Sequence, residues 1–399
     1  MPFHYLKRNF ISPLMEFIHD SRATGVMILV ITLFSMGLSN SSIGASYIRL
    51  LDYSFLHSSY LPHTITHWIN DGLMALFFFQ VGMEIKREML IGELASFKKS
   101  ILPAMGALGG MLAPALFFSL LNLNTIHSNG WGIPMATDIA FSLGVASLLG
   151  KRVPLSLKIF LTALAIIDDL GAIVAIALFY TGTLHPFWLL TGLAVWIVLV
   201  IWNQRKLPFG VWNFIAGLFL WFCMYNSGIH ATIAGVLFAV TIPLQRLTHI
   251  EHALHHYVQF LILPLFVLAN TAIALPDHIG TLLSSGLSLG ILIGLLIGKP
   301  LGIVSFCWIA VQLKWGELAK NLNWKHLIGL GLLAAIGFTM SIFIALLAFP
   351  DTMSQTTSKM SVMAASLLAM LVSVLWFQFT NRSPAKSVRR TEQEPSLPT

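Results

Sequence analysis

Two adjacent carboxylates, Asp168 and Asp169, stand near the middle of the apolar run ALAIIDDLGAIVAIALFY at 163–180. A run this apolar belongs in a bilayer. There a charged side chain at mid-depth costs roughly 2.5–3.5 kcal/mol even on the lenient insertion scale. Folding does not require that cost, so the pair is expected to serve a cation. Neighbouring helical positions point about 100° apart, so one carboxylate can line a cavity while the other meets a facing helix. A purely structural salt-bridged pair is the alternative. It would need two bases, and Lys299 in LLIGKPLGI is the only base deep within a span.

Lys299 would lose its proton in hydrocarbon unless paired. Asp168 is the expected partner, with snorkelling to the surface as the alternative. Asp138, with Thr137, sits in MATDIA, where Pro134 and the polar residues predict a broken helix. Half-helix ends leave unsatisfied N–H and C=O groups in a dry medium. A carboxylate there would neutralise two facing N-termini; a protonated, merely buried Asp138 is the alternative. Asp71 and Glu84 fall at opposite ends of one span and read as solvated end residues, although Glu84 could concentrate cations in a funnel.

The stretch HIEHALHH groups Glu251, His252, His255 and His256 within two turns. Histidine titrates near neutral pH, so the cluster is a candidate pH sensor. The i, i+4 spacing of His252 and His256 leaves a zinc site open, without the H-E-x-x-H pattern; solvated histidines are the simplest reading. His230 in NSGIHATIAGV could cap a helix or sense pH.

The elements that must position these residues are membrane helices. The 399 residues are 56% hydrophobic and 10% charged, with mean hydropathy +0.81; soluble domains hold about 25% charged residues. Apolar length and loop punctuation predict an all-α polytopic membrane protein of about twelve spans, near 23–39, 68–85, 101–121, 131–149, 156–180, 187–203, 209–224, 229–244, 257–275, 286–313, 328–349 and 361–380. Of the 23 basic residues, only Arg49 and Lys359 fall in the opposite loops; Lys158 stands at the very start of the span 156–180, and Lys299 alone lies deep within a span. The positive-inside rule therefore puts both termini in the cytoplasm. A surface-lying N-terminal segment (1–22), a transmembrane domain (23–382) and a disordered polar tail (383–399) are expected. The net charge of +7 carries no basic stripe with interleaved aromatics, which argues against nucleic acid, and Cys223 and Cys307 imply no disulfide framework. The long outer loop 40–67 could form a short hairpin that pairs with another subunit, or be a plain surface loop.

A weak internal repeat is visible. Spans 131–149 and 328–349 each have a helix-breaking centre, at Pro134–Asp138 and Gly337–Thr339, and each is the middle of three spans, 101–180 and 286–380. The triplets would enter the membrane from opposite sides, which marks a transporter's binding site; the frequency of Gly and Pro in membrane helices is the competing explanation.

With WINDGLMALFFFQVGMEIKRE, PMATDIAFSLG, LAIIDDLGAIVAIALFY, NSGIHATIAGV, EHALHHYVQFLILPLF, GLLIGKPLGI and GFTMSIFIA in order, nearly the whole chain resembles the NhaA-type sodium/proton antiporters of bacterial inner membranes. The resemblance implies twelve spans, inverted triplets with two crossed broken helices, and a homodimer formed through a hairpin at 40–67. It implies exchange of one Na+ or Li+ for two H+, with no cofactor. Asp168 and Asp169 would carry ion and protons, Lys299 would partner Asp168, and Asp138 and Thr137 would sit at the crossing. Glu84, Glu251, His252, His255 and His230 would belong to the pH response.

Sodium, a hard cation, wants oxygen ligands that carboxylates, a hydroxyl and freed carbonyls supply. A site holding either ion or protons couples their flows. Two rivals come from other classes. An intramembrane aspartyl protease would need Tyr-Asp and Gly-x-Gly-Asp patterns, and neither occurs. A cation channel would pass current without proton counterflow.

Overall fold

The computed structural model describes residues 21–56, 58, 60–275 and 279–380. Most of the expected N-terminal segment and all of the expected tail lie outside them. Among the described residues the chain is helical, and its one β feature is an isolated antiparallel bridge, Ser54 to Thr64. Helix α1 (Ser21–Ser39) turns through 114° into α2 (Gly44–Leu51). Tyr47, Ile48, Leu50 and Leu51 are therefore helical, and pairing in the 40–67 loop is confined to the Ser54–Thr64 bridge.

The central helices follow. A π turn (Trp68–Leu73) leads into α3 (Met74–Leu90), and α4 spans Phe97–Leu121. A 3-10 segment (Ser128–Met135) is interrupted before α5 (Ile139–Leu148), and α6 is Leu155–Phe179. Next come α7 (Pro186–Gln204), α8 (Val211–Ser227) and α9 (Ile233–Thr241). Helix α10 (Leu244–Tyr257) passes through a π turn (Val258–Ile262) into α11 (Leu263–Asn270). Helix α12 (Gly286–Ile293) continues through a third π turn (Gly294–Gly298) into α13 (Lys299–Gln312). Helices α14 (Trp324–Ala334) and α15 (Phe338–Ala348) form a pair bent by 49°, and α16 (Thr352–Thr380) closes the chain.

Among the described residues, seven helices are long and apolar enough to cross a bilayer, or up to nine if each bent pair is one span. At about 1.5 Å per residue, the 9 residues of α9 cannot cross alone. Helix α10 starts at Leu244, so the histidine cluster rides on the same rod as the ninth expected span rather than in a loop before it.

Burial sorts the helices. The apolar window of α7 is 11% buried and lies at the periphery, whereas that of Ser128–Leu148 is 72% buried. The interrupted helices are thus the centre of the bundle. Helix α13 is held against α4 by a glycine contact: a Cβ on Gly302 would lie 2.0 Å from the Gly109 carbonyl oxygen, and one on Gly109 would lie 2.1 Å from that of Gly302. Such small-residue seams let membrane helices pack backbone to backbone. Gly302 is three residues from Lys299, so the seam also sets that ammonium's position. Gly302→Val is expected to force the helices apart and destabilise the protein by about 1–3 kcal/mol, the usual cost of overpacking. A melting curve matching that of the native protein would contradict this packing role.

Candidate functional site

The site is built where the two interrupted helices meet. Asp138 caps α5, its Oδ1 accepting from the Phe141 N–H at 2.9 Å. Its Oδ2 accepts from the Thr339 N–H at 3.0 Å and from the Thr339 hydroxyl, in the first turn of α15. One carboxylate thus serves two helix N-termini, where partial positive charge is left over. Asp138 is 2% exposed.

The other ends are sealed reciprocally. The Asp138 N–H donates to the Ile336 carbonyl at 2.8 Å. The Thr137 hydroxyl donates to the Ala334 carbonyl at 3.1 Å, and Ser142 to that of Leu333 at 2.8 Å. Ser341 donates back to the Ile133 carbonyl at 2.7 Å. Each break in one helix is satisfied by side chains or backbone of the other, as a medium without water demands.

Lys299 supplies the opposite charge. Its Nζ lies 2.8 Å from Asp168 Oδ2, with side-chain exposures of 0% and 1%, and also donates to the Met135 carbonyl. The π turn just before Lys299 and Pro300 just after it distort the helix at this point. Lys299 is therefore paired and does not snorkel. Asp138 faces helix N-termini, and Lys299 faces a carbonyl at a helix C-terminal end.

Asp168 and Asp169 diverge as their helical phase requires. Asp168 turns to Lys299. Asp169 lines a cavity of about 130 Å3 together with Asp138, Thr339, Glu84, Gln80 and His255. Asp168 Oδ1 and Asp169 Oδ1 are both buried without a hydrogen-bond partner. Buried carboxylate oxygens without a protein donor are expensive unless water, an ion or a proton meets them.

The pH-response candidates fall into two places. Glu84 lines the small cavity, Arg87 bridges Glu251 at 3.0 Å and Glu88 at 2.6 Å, and His255 accepts from Gln80 at 2.9 Å. His252 and His256 are exposed, the latter against Phe260. Among the described residues no three His, Cys, Asp or Glu gather as metal ligands. His230 stands apart on the far side of the break. Its Nδ1 is 3.4 Å from Asp71 Oδ1 and its ring stacks on Phe343. Both residues line a 690 Å3 vestibule that also holds Asp52 and Lys359. Asp71 thus has a partner and Glu84 an internal cavity, where solvated positions were expected. Sequence reasoning passed over Gln80 and the Asn70–Asn270 pair, whose hydrogen bond measures 2.8 Å, and named Thr339 only as the end of a helix break. Polar residues inside apolar runs were the available signal.

Removing the ammonium leaves Asp168 buried without a partner, so Lys299→Gln is expected to destabilise the protein by about 3–5 kcal/mol. Thermal melting of the purified variant measures this. An unchanged midpoint would contradict the pairing.

The chain matches known proteins over nearly its whole length. The model of the Na+/H+ antiporter 1 family matches residues 15–377. An NhaA Na+/H+ antiporter of Cytophaga hutchinsonii is 45% identical over 376 residues, covering 92% of this chain and 96% of the relative. The protein named Na+/H+ antiporter NhaA 1 of Flavobacterium johnsoniae is 46% identical over 371 residues, covering 91% and 96%. An NhaA antiporter of Vibrio parahaemolyticus is 45% identical over 375 residues, covering 92% and 97%. With its paired carboxylates, its buried lysine and its interlocked helix breaks, the chain belongs to the Na+/H+ antiporter 1 family of multi-pass bacterial membrane proteins.

Proposed function

We propose that this chain exchanges Na+ for H+ at Asp168 and Asp169, as a secondary transporter and not an enzyme, with no cofactor. The observation that carries the reading is the pair of adjacent buried carboxylates, each with an unpartnered oxygen, beside interlocked helix breaks. Asp169 faces the small cavity and is the one of the two carrier carboxylates that a cation meets from that side. Asp168 holds Lys299, so a cation arriving there competes with the ammonium for the same oxygens. Thr137 and the carbonyls freed at the breaks can complete an oxygen shell.

Na+ and protons contend for the same atoms. Each proton that must leave before Na+ binds makes apparent Na+ affinity fall about tenfold per pH unit below the site's titration range. Two protons for one Na+, one at Asp169 and one at the Asp168–Lys299 pair, would move one net charge inward per cycle. The membrane potential then contributes roughly 2.3 kcal/mol per 100 mV to Na+ extrusion. Li+ fits the same oxygen set.

The face bearing Lys86, Arg87 and Lys151 reads as cytoplasmic by the distribution of basic residues. On that basis both termini, including segments 1–22 and 383–399, are cytoplasmic. Twelve spans in the 23–382 domain follow if the shorter helices α8 and α9 and the segment 68–90 cross with their neighbours. The triplets 101–180 and 286–380 would be inverted repeats around the crossing, with alternating access as rocking of these six spans against the rest. Glu84, Glu251, His252, His255 and His230 would set the pH response. A homodimer would form through the 40–67 segment in the lipid bilayer.

Asp169→Asn is expected to abolish Na+-driven proton movement in everted vesicles while the protein still inserts. Full exchange in that variant would overturn the assignment. Proteoliposomes with an internal pH dye and a Na+ step separate the rivals: a channel passes Na+ without proton counterflow, and a protease gives neither.

A further inference from the structure

Gln80 is the one strongly polar residue between Leu73 and Glu84, in the run LMALFFFQVGM of α3. It is 6% exposed. Its Nε2 donates to His255 Nδ1 at 2.9 Å, while its Oε1 is buried with no partner. A buried amide carbonyl left unmatched costs roughly 1–3 kcal/mol, so an otherwise apolar stretch of α3 carries an oxygen it does not satisfy itself. Gln80 and Glu84 are four residues apart and share a helix face. With Asp169 from α6 they line the same 130 Å3 cavity. That is room for about four waters at roughly 30 Å3 each, or for one cation keeping part of its hydration. The nearby Gln259 is already engaged, its Oε1 accepting from Thr24 at 3.2 Å.

We propose that Gln80 Oε1 and the Glu84 carboxylate form an ante-site for Na+, which holds the partly dehydrated ion before Asp169 takes it. The inference rests on the reading of Asp168 and Asp169 as the carrier pair and adds a specificity-determining residue on one side of it. An amide carbonyl and a carboxylate are hard-cation ligands. His255 holds the amide: with Nδ1 accepting from the NH2 group, the carbonyl is the end left without a partner. The ante-site lies only on the face bearing Lys86 and Arg87, because the vestibule on the other side has a different lining, with Asp71, His230 and Lys359.

The test uses the full-length protein in oriented proteoliposomes, with NaCl offered to one face at a time. In Gln80→Leu the KM for Na+ on the Lys86 face is expected to rise roughly three- to tenfold, the loss of one neutral oxygen ligand, and the KM on the opposite face to stay put. Gln80→Glu, which keeps an oxygen, is expected to hold the native KM or lower it. A native KM in Gln80→Leu, an equal rise on both faces, or the same rise in Gln80→Glu would overturn the ante-site and leave Gln80 as a clamp on His255. If Gln80→Leu does not fold, Gln80→Met, of similar length and without a carbonyl, takes its place under the same criteria. Asp169→Asn in the same liposomes separates the two readings. Exchange lost there with a native KM in Gln80→Leu removes the ante-site only, whereas exchange retained there removes the carrier assignment.

Discussion

Compensation of charge where two helices break inside the bilayer governs the rest of this structure. An interrupted helix exposes N–H groups on one side and carbonyls on the other, and lipid offers them nothing. Here the N–H side is met by Asp138, shared between α5 and α15, and a carbonyl of the opposite polarity by Lys299 at Met135. Lys299 in turn needs an acid, and Asp168 supplies it. Seen this way, three of the buried charges form a closed set and Asp169 is the one left over. That surplus carboxylate, facing a small cavity, is what a mobile cation or proton can balance.

The scaffold makes the set rigid on one side and accessible on the other. The Gly109–Gly302 seam brings α13 against α4 and fixes where Lys299 stands. Reciprocal bonds from Thr137, Ser142 and Ser341 lock the two interrupted helices to each other. Polar cavities lie on either side, 130 Å3 with Glu84 and 690 Å3 with Asp71 and His230. Asp169 lines the first and not the second.

Much of the site was legible in the residues because charge in an apolar run has few explanations. The Asp168–Lys299 pairing followed from the scarcity of intramembrane bases, and the double-capping duty of Asp138 from the electrostatics of helix ends. Other features were hidden for physical reasons. Hydropathy placed HIEHALHH before a span, but helix formation does not depend on apolarity, and α10 runs through it from Leu244 into the membrane. The 40–67 segment carries β-compatible residues at Tyr47 and Ile48, yet helical hydrogen bonding takes them into α2. Gln80 gave no direction from sequence, since its meaning depends on His255 lying 175 positions away. The pairing of His230 with Asp71 is equally non-local.

The central claim is that Na+ and protons compete for Asp168 and Asp169. The most direct measurement is proton release from purified protein when Na+ is added in weakly buffered detergent solution, repeated across pH. Competition gives a burst of protons and an apparent Na+ affinity that weakens as pH falls. Na+ bound with constant affinity from acid to alkali, with no protons given up, would contradict it.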